Sequence, residues 1–144
     1  MQLWRISNYP DLTGLGGLKI AGRWHPRGHH IVYCADHPST ALLEALVHAT
    51  RHAMPPTFQL HCIEVGGDID AMEFNPDRPW RDDLSYTQEQ GLAFLMDGKH
   101  PLMRVPSVVM PKASNYLMNP RHPDSSRIAL VESWRFPFDS RLVK

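Results

Sequence analysis

The chain carries no surplus of charge. Fifteen Lys and Arg residues balance fifteen Asp and Glu, for a formal net charge of zero. A nucleic-acid or anionic-membrane surface needs a basic excess or a dense basic run, and neither is present, so no direct nucleic acid or membrane partner is expected. Cysteine is scarce. Cys34 and Cys62 are the only two; both sit in apolar runs and read as buried, reduced thiols rather than a disulfide framework. No apolar run approaches the roughly 18 residues needed to cross a bilayer. The opening MQLWRISNYP lacks the apolar core of a secretory leader, so the expected location is cytoplasmic. Internal repeats and low-complexity segments are missing too.

What remains is a globular composition, 42% hydrophobic and 21% charged. The 144 residues fit a single domain, 1–144, which would bury roughly two-thirds of the surface its unfolded chain exposes. Such a domain needs neither disulfide nor metal. Zero net charge is poor for solubility, which favours a stable partner or an oligomer. Thirteen prolines predict defined, extended connections rather than long helices.

Hydrophobic periodicity sets out the elements. Leu3 to Ser7 alternates as a strand, and Thr13 to Gly22, with four of the nine glycines, reads as a mobile loop or a close backbone approach. Ile31 to Ala35 is a buried strand. A helix follows, capped by Asp36 or Ser39 with Pro38 in its first turn, its stripe formed by Leu42, Leu43, Leu46 and Val47. Arg51 and Met54-Pro55-Pro56 end it. Phe58 to Val65 alternates as a half-buried strand. Asp68 to Asp83 is acidic and irregular, a solvated loop or a partner surface. Thr87 to Lys99 has helical spacing through Leu92, Leu95 and Met96, with Thr87 or Ser85 as cap. Leu102 to Met110 reads as strand–kink–strand around Pro106, and Ser114 to Asp124 as a polar loop. Ser126 to Trp134 supplies a last strand or two before a tail. The order β–β–α–β–α–β–β is an α+β pattern with a mixed or antiparallel sheet.

The densest run of chemically able residues is Ala21 to His52. Arg23, between Gly22 and Trp24, suits bidentate recognition of phosphate or carboxylate, or stacks on Trp24 at the surface. Arg5, beside Trp4, is the same kind of candidate. Tyr33 is either core or a ring for a flat heterocycle to stack on. Glu44 points away from the helix stripe, either to solvent or toward a ligand at the sheet edge. His48 and His52 have the i,i+4 spacing of a helical zinc pair, but the intervening residues lack the Glu of HExxH and include Arg51, so no metal site is expected. Ser107 lacks a surrounding GxSxG, and Gly14, Gly16 and Gly17 lack the lysine–serine pair or helix of a nucleotide-binding loop.

The sequence resembles the RES-domain family, the toxins of Xre–RES toxin–antitoxin pairs. The likeness runs almost end to end: Trp4-Arg5-Ile6-Ser7, Gly22-Arg23-Trp24, Ile31-Val32-Tyr33-Cys34-Ala35, Ala41-Leu42-Leu43-Glu44, Arg104-Val105-Pro106-Ser107, Asn115 to Pro123, and Phe136 to Leu142. Two positions depart from it: His25, where asparagine is expected, and Ala21, where glycine is common. The resemblance implies a fold related to ADP-ribosyltransferases and an activity that consumes NAD+ as substrate, not as a recycled cofactor. Cleavage of the nicotinamide–ribose bond is the expected reaction, with water, phosphate or a protein side chain as acceptor. Arg23, Glu44 and Ser107 correspond to the arginine, glutamate and serine of the family name. Arg5 and Tyr33 are expected to bind NAD+, and Asn115, Asn119 and His122 to line a loop that closes over it, unless they are turn residues beside Pro120 and Pro123. Ser107 would bond a carboxamide or ribose oxygen. The implied partner is an Xre-type antitoxin, in whose complex a homodimer is expected. Mono-ADP-ribosylation of a specific protein and a non-catalytic binding module are the rival readings.

Overall fold

The computed structural model describes residues 1–49 and 55–142. Among these residues are seven strands: β1 (Gln2–Ile6), β2 (Val32–Ala35), β3 (Thr57–Val65), β4 (Ala71–Glu73), β5 (Leu102–Pro106), β6 (Ser114–Met118) and β7 (Ile128–Pro137). With them come the short α1 (Gly16–Lys19), then α2 (Pro38–His48) and α3 (Leu84–Asp97). The strands form one mixed sheet in the order β4-β5-β6-β2-β1-β3-β7. Among the described residues β4 and β5 run parallel, and the other pairs are antiparallel. The α+β expectation holds.

Strand alternation gives the sheet two buried faces. Leu3, Val32, Cys34, Ile63, Val65, Leu102, Tyr116, Met118 and Ile128 pack on the first. Trp24, Ile31, Met103, Val105 and Leu117 pack with Phe94 of α3 on the second, joined by Tyr33, Phe74 and Trp80. Cys34 and Cys62 are free and buried, as expected. Burial pushes the Cys34 thiol up to about 12, which removes it from thiolate chemistry near neutral pH.

Several assignments change. Ser114 to Met118 is not loop but β6, a central strand buried between β5 and β2. Its polar start is satisfied in place: Asp36 Oδ2 accepts from the Ser114 amide at 2.9 Å, and the Ser114 hydroxyl accepts from Arg104 Nε at 3.0 Å. The expected second half of the Pro106 strand is the turn that returns the chain to β6. Within Asp68–Asp83, β4 pairs with β5. In the helices, His37 caps α2 by accepting from the Ser39 amide, and Asp83 caps α3 by accepting from Tyr86. Val47 and Met96, expected in the apolar stripes, are 59% and 65% exposed. Arg51, His52 and Met54 lie outside the described residues, as do the last two of the tail.

The face that α3 buries is Tyr86, Thr87, Gly91 and Phe94, a spacing chosen for close approach rather than apolar bulk. This face grips the backbone of Gly22-Arg23-Trp24. Gln88 Nε2 donates to the Gly22 carbonyl at 2.9 Å, and Thr87 Oγ1 donates to the Arg23 carbonyl at 2.6 Å. The Trp24 carbonyl lies where a Cβ on Gly91 would be. Helix propensity alone favours alanine over glycine by about 1 kcal/mol. The backbone clash is expected to outweigh it, so Gly91→Ala should destabilise the protein by about 1–3 kcal/mol, roughly 3 °C in thermal midpoint per kcal/mol. Gly16→Ala, which meets nothing within 4 Å, should leave the midpoint unchanged or raised. Equal midpoints for the two variants would contradict the grip of α3 on the loop.

Candidate active site

Glu44 is half-buried on α2 and does not point to solvent. Its Oε1 accepts two hydrogen bonds, from the Ser107 hydroxyl at 2.8 Å and from Asn115 Nδ2 at 2.8 Å. Among the described residues nothing donates to Oε2. The carboxylate is therefore held in one orientation by one oxygen and presents the other. Asp36 makes this possible. It follows β2, its amide donates to the Ser114 carbonyl at 3.0 Å, and its two carboxylate oxygens accept from the Ser114 amide and from Thr40 Oγ1 at 2.8 Å. The start of β6 and the first turn of α2 are thereby tied to one side chain, which sets Asn115 opposite Glu44.

Ser107 is 1% exposed. Its hydroxyl donates to Glu44 and accepts from the Met110 amide at 3.1 Å. In this arrangement the Ser107 hydroxyl proton goes to Glu44, so Ser107 helps to orient the carboxylate.

A second group surrounds Tyr33, on the same face as Asn115. The Tyr33 hydroxyl lies 2.6 Å from His25 Nδ1 and accepts from the Trp24 amide at 3.2 Å. His25 Nε2 faces two carbonyls, Ile20 at 3.0 Å and Gly17 at 3.3 Å. Carbonyls only accept, so Nε2 carries the proton, and the neutral ring accepts a hydrogen bond from the Tyr33 hydroxyl at Nδ1. His25, 2% exposed, thus binds the glycine-rich loop to β2 through the very residue that departs from the expected asparagine. Burial lowers its pKa from the ordinary 6.5. Burial likewise raises the Tyr33 phenol, which stays protonated. Trp24 is core, packed on Phe74 and Trp80, so Arg23 does not stack on it at the surface. Instead the Arg23 guanidinium donates to the Arg81 carbonyl at 3.0 Å.

Three expected site residues are not brought here. Arg5 shares the first face with Leu3, the side opposite Asn115. It supports β2 from behind, donating to the Tyr33 carbonyl at 3.2 Å. Asn119 and His122 lie beyond the far end of β6; Asn119 is roughly 13 Å from Asn115 at the rise of a strand. Their turn alternative holds. Asn119 Oδ1 accepts from the Arg121 amide, and His122 Nδ1 accepts from Asp124 at the start of a 3-10 turn, Pro123–Arg127. His48 is exposed at the end of α2. Sequence reasoning missed His25 and Asp36. A buried histidine and a strand-ending aspartate have no spacing signature, because their partners are distant in the chain.

A family model described as RES domain matches residues 2–139. A Pseudomonas putida protein named Toxin Res is 41% identical, covering 99% of this chain and 99% of its own. A Yersinia enterocolitica Toxin Res is 35% identical over 90% of this chain and 89% of its own. A Sphingobium protein named Prs ADP-ribosylating toxin is 28% identical over 98% and 96%. In structure, the chain is similar to one in the crystal structure of the M. tuberculosis MbcT-MbcA toxin-antitoxin complex, with TM-score 0.77, 18% identity, and coverage of 94% of this chain and 84% of that one. At that identity the likeness shows the fold.

The depressed His25 pKa fixes a sign. The folded state holds the ring neutral, so its contribution to stability is full above the unfolded value of about 6.5 and is lost as pH falls toward the folded value. Thermal midpoints of the wild-type protein should drop over that window more steeply than those of His25→Asn. Identical slopes would show that His25 is not held neutral.

Proposed function

Because the chain belongs to the RES-domain family, we propose that it is a toxin that destroys NAD+ by cleaving the bond between nicotinamide and ribose. In the simplest form water is the acceptor: NAD+ and water give nicotinamide, ADP-ribose and a proton. The carbon–nitrogen bond breaks with its electron pair going to nicotinamide, which leaves neutral. The ribosyl carbon passes through an oxocarbenium-like state and takes the water oxygen.

The observation that carries this reading is the oriented Glu44 carboxylate. A cationic transition state is stabilised most by an anion already in place, since no reorganisation is needed as charge develops. Ser107 and Asn115 hold Oε1, and Oε2 is open to the ribosyl centre or its hydroxyls. Tyr33 offers its ring to the nicotinamide, while His25 and Trp24 hold its hydroxyl. Arg23 forms no ion pair among the described residues and has N–H donors left for phosphate oxygens. An antitoxin, of Xre type by family, would be the partner that holds this activity in check. The Sphingobium relative's name favours a second reading, in which the same cleavage delivers ADP-ribose to a protein side chain.

Purified wild-type protein is expected to release nicotinamide from NAD+. Glu44→Gln keeps the shape of the side chain but loses its charge, and should lower the rate by about 10²-fold or more with an unchanged melting profile. Full turnover by Glu44→Gln would end the electrostatic role assigned here. Chromatography of the ribosyl product decides the acceptor: free ADP-ribose for water, and intact-mass addition of ADP-ribose to a cellular protein for transfer. No nicotinamide release with either acceptor present would leave the chain a binding module.

A further inference from the structure

The segment from Pro79 to Asp83 forms a strap between the loop that carries Arg23 and the turn that carries Ser107. It is pinned at both ends. Trp80 packs on Phe74 at 5.6 Å and on Trp24 at 5.9 Å between ring centroids, and Asp83 caps α3. Arg81 stands between these anchors. Its carbonyl accepts from the Arg23 guanidinium at 3.0 Å, and its own guanidinium donates to the Val108 carbonyl at 2.9 Å. Val108 is the residue after Ser107, whose hydroxyl meets Glu44. A chain of contacts therefore runs from Arg23 through Arg81 to the turn that holds the carboxylate. The strap borders an open hollow of about 560 Å³ lined by Pro79, Trp80, Arg81, Asp82 and Asp83.

We propose that Arg81 is a second cationic contact for the pyrophosphate of the dinucleotide, acting beside Arg23. The inference rests on the NAD+ reading and goes beyond it by assigning a residue that neither motif nor spacing indicates. A single bond to a carbonyl uses one of a guanidinium's five N–H donors, so the group is aimed without being spent. Among the described residues no carboxylate pairs with Arg81 or Arg23. Two unneutralised guanidinium groups, Arg81 on the strap and Arg23 on the loop bonded to it, suit a ligand with two adjacent anionic phosphates, where bidentate contacts add geometry to charge. Asp82 shares the rim and opposes that field, so its removal should act in the reverse direction.

The test is steady-state NAD+ cleavage with product inhibition by ADP-ribose and by nicotinamide. Arg81→Ala should raise the KM for NAD+ and the inhibition constant for ADP-ribose about tenfold or more, about 1.4 kcal/mol. kcat and inhibition by nicotinamide, which has no phosphate, should change far less. Arg81→Lys should recover part of the loss, and Asp82→Asn should tighten ADP-ribose. Unchanged ADP-ribose inhibition in Arg81→Ala would overturn the assignment, and so would an equal loss toward nicotinamide, which marks a structural role. If the wild-type protein leaves NAD+ intact, the underlying reading fails, and that result is distinct from either.

Discussion

The arrangement hangs on Asp36. A single carboxylate at the end of β2 accepts from the first amide of β6 and from the first turn of α2. Both oxygens are in use, and the backbone beside it adds a further bond to β6. Charge-assisted hydrogen bonds of this kind are shorter and stronger than neutral ones. They fix where α2 leaves the sheet and where β6 enters it. Without that junction Glu44 and Asn115, separated by 71 residues in the chain, have no reason to meet.

The other half of the site is held differently. The Gly22-Arg23-Trp24 segment is a turn closed by a bridge between Gly22 and His25, and the Gly22 and Arg23 carbonyls need partners from outside it. Helix α3 provides them with Gln88 and Thr87, and Gly91 lets the backbone come close. From the opposite side, His25 joins the same loop to Tyr33 and to the carbonyls of Gly17 and Ile20. A loop gripped from two sides presents Arg23 from a fixed place, which a site working by electrostatic preorganisation requires. The strap carrying Arg81 then links this loop to the Ser107 turn. The site is one continuous set of bonds rather than several independent side chains.

Legibility followed local pattern. β1, β2, α2 and β3 stand close to where alternation and helical spacing place them, because each packs apolar residues with a regular period. β6 was hidden because Ser114 and Asn115 look like loop residues, and their polarity is satisfied only by Asp36, Arg104 and Glu44. The buried face of α3 was misplaced because Thr87 and Gly91 carry no hydrophobic signal; they are buried to meet a backbone. Arg5 was drawn to the site by its neighbours in the motif, yet strand alternation, readable in principle from Leu3-Trp4-Arg5, sends it to the other face.

By itself the sequence determined the α+β class, the family and the residue types for the chemistry: an arginine, a tyrosine, a glutamate and a serine in a set order. Those depend on composition, period and motif, which are properties of neighbours along the chain. Only the tertiary structure decided which of them meet. It put Ser107 and Asn115 on Glu44, buried Ser107, moved Asn119 and His122 to the far end of a strand, and brought His25 to Tyr33 and Arg81 to Arg23. These outcomes turn on hydrogen bonds across many residues, where one shift in strand register exchanges the faces of a sheet, and no local pattern encodes them.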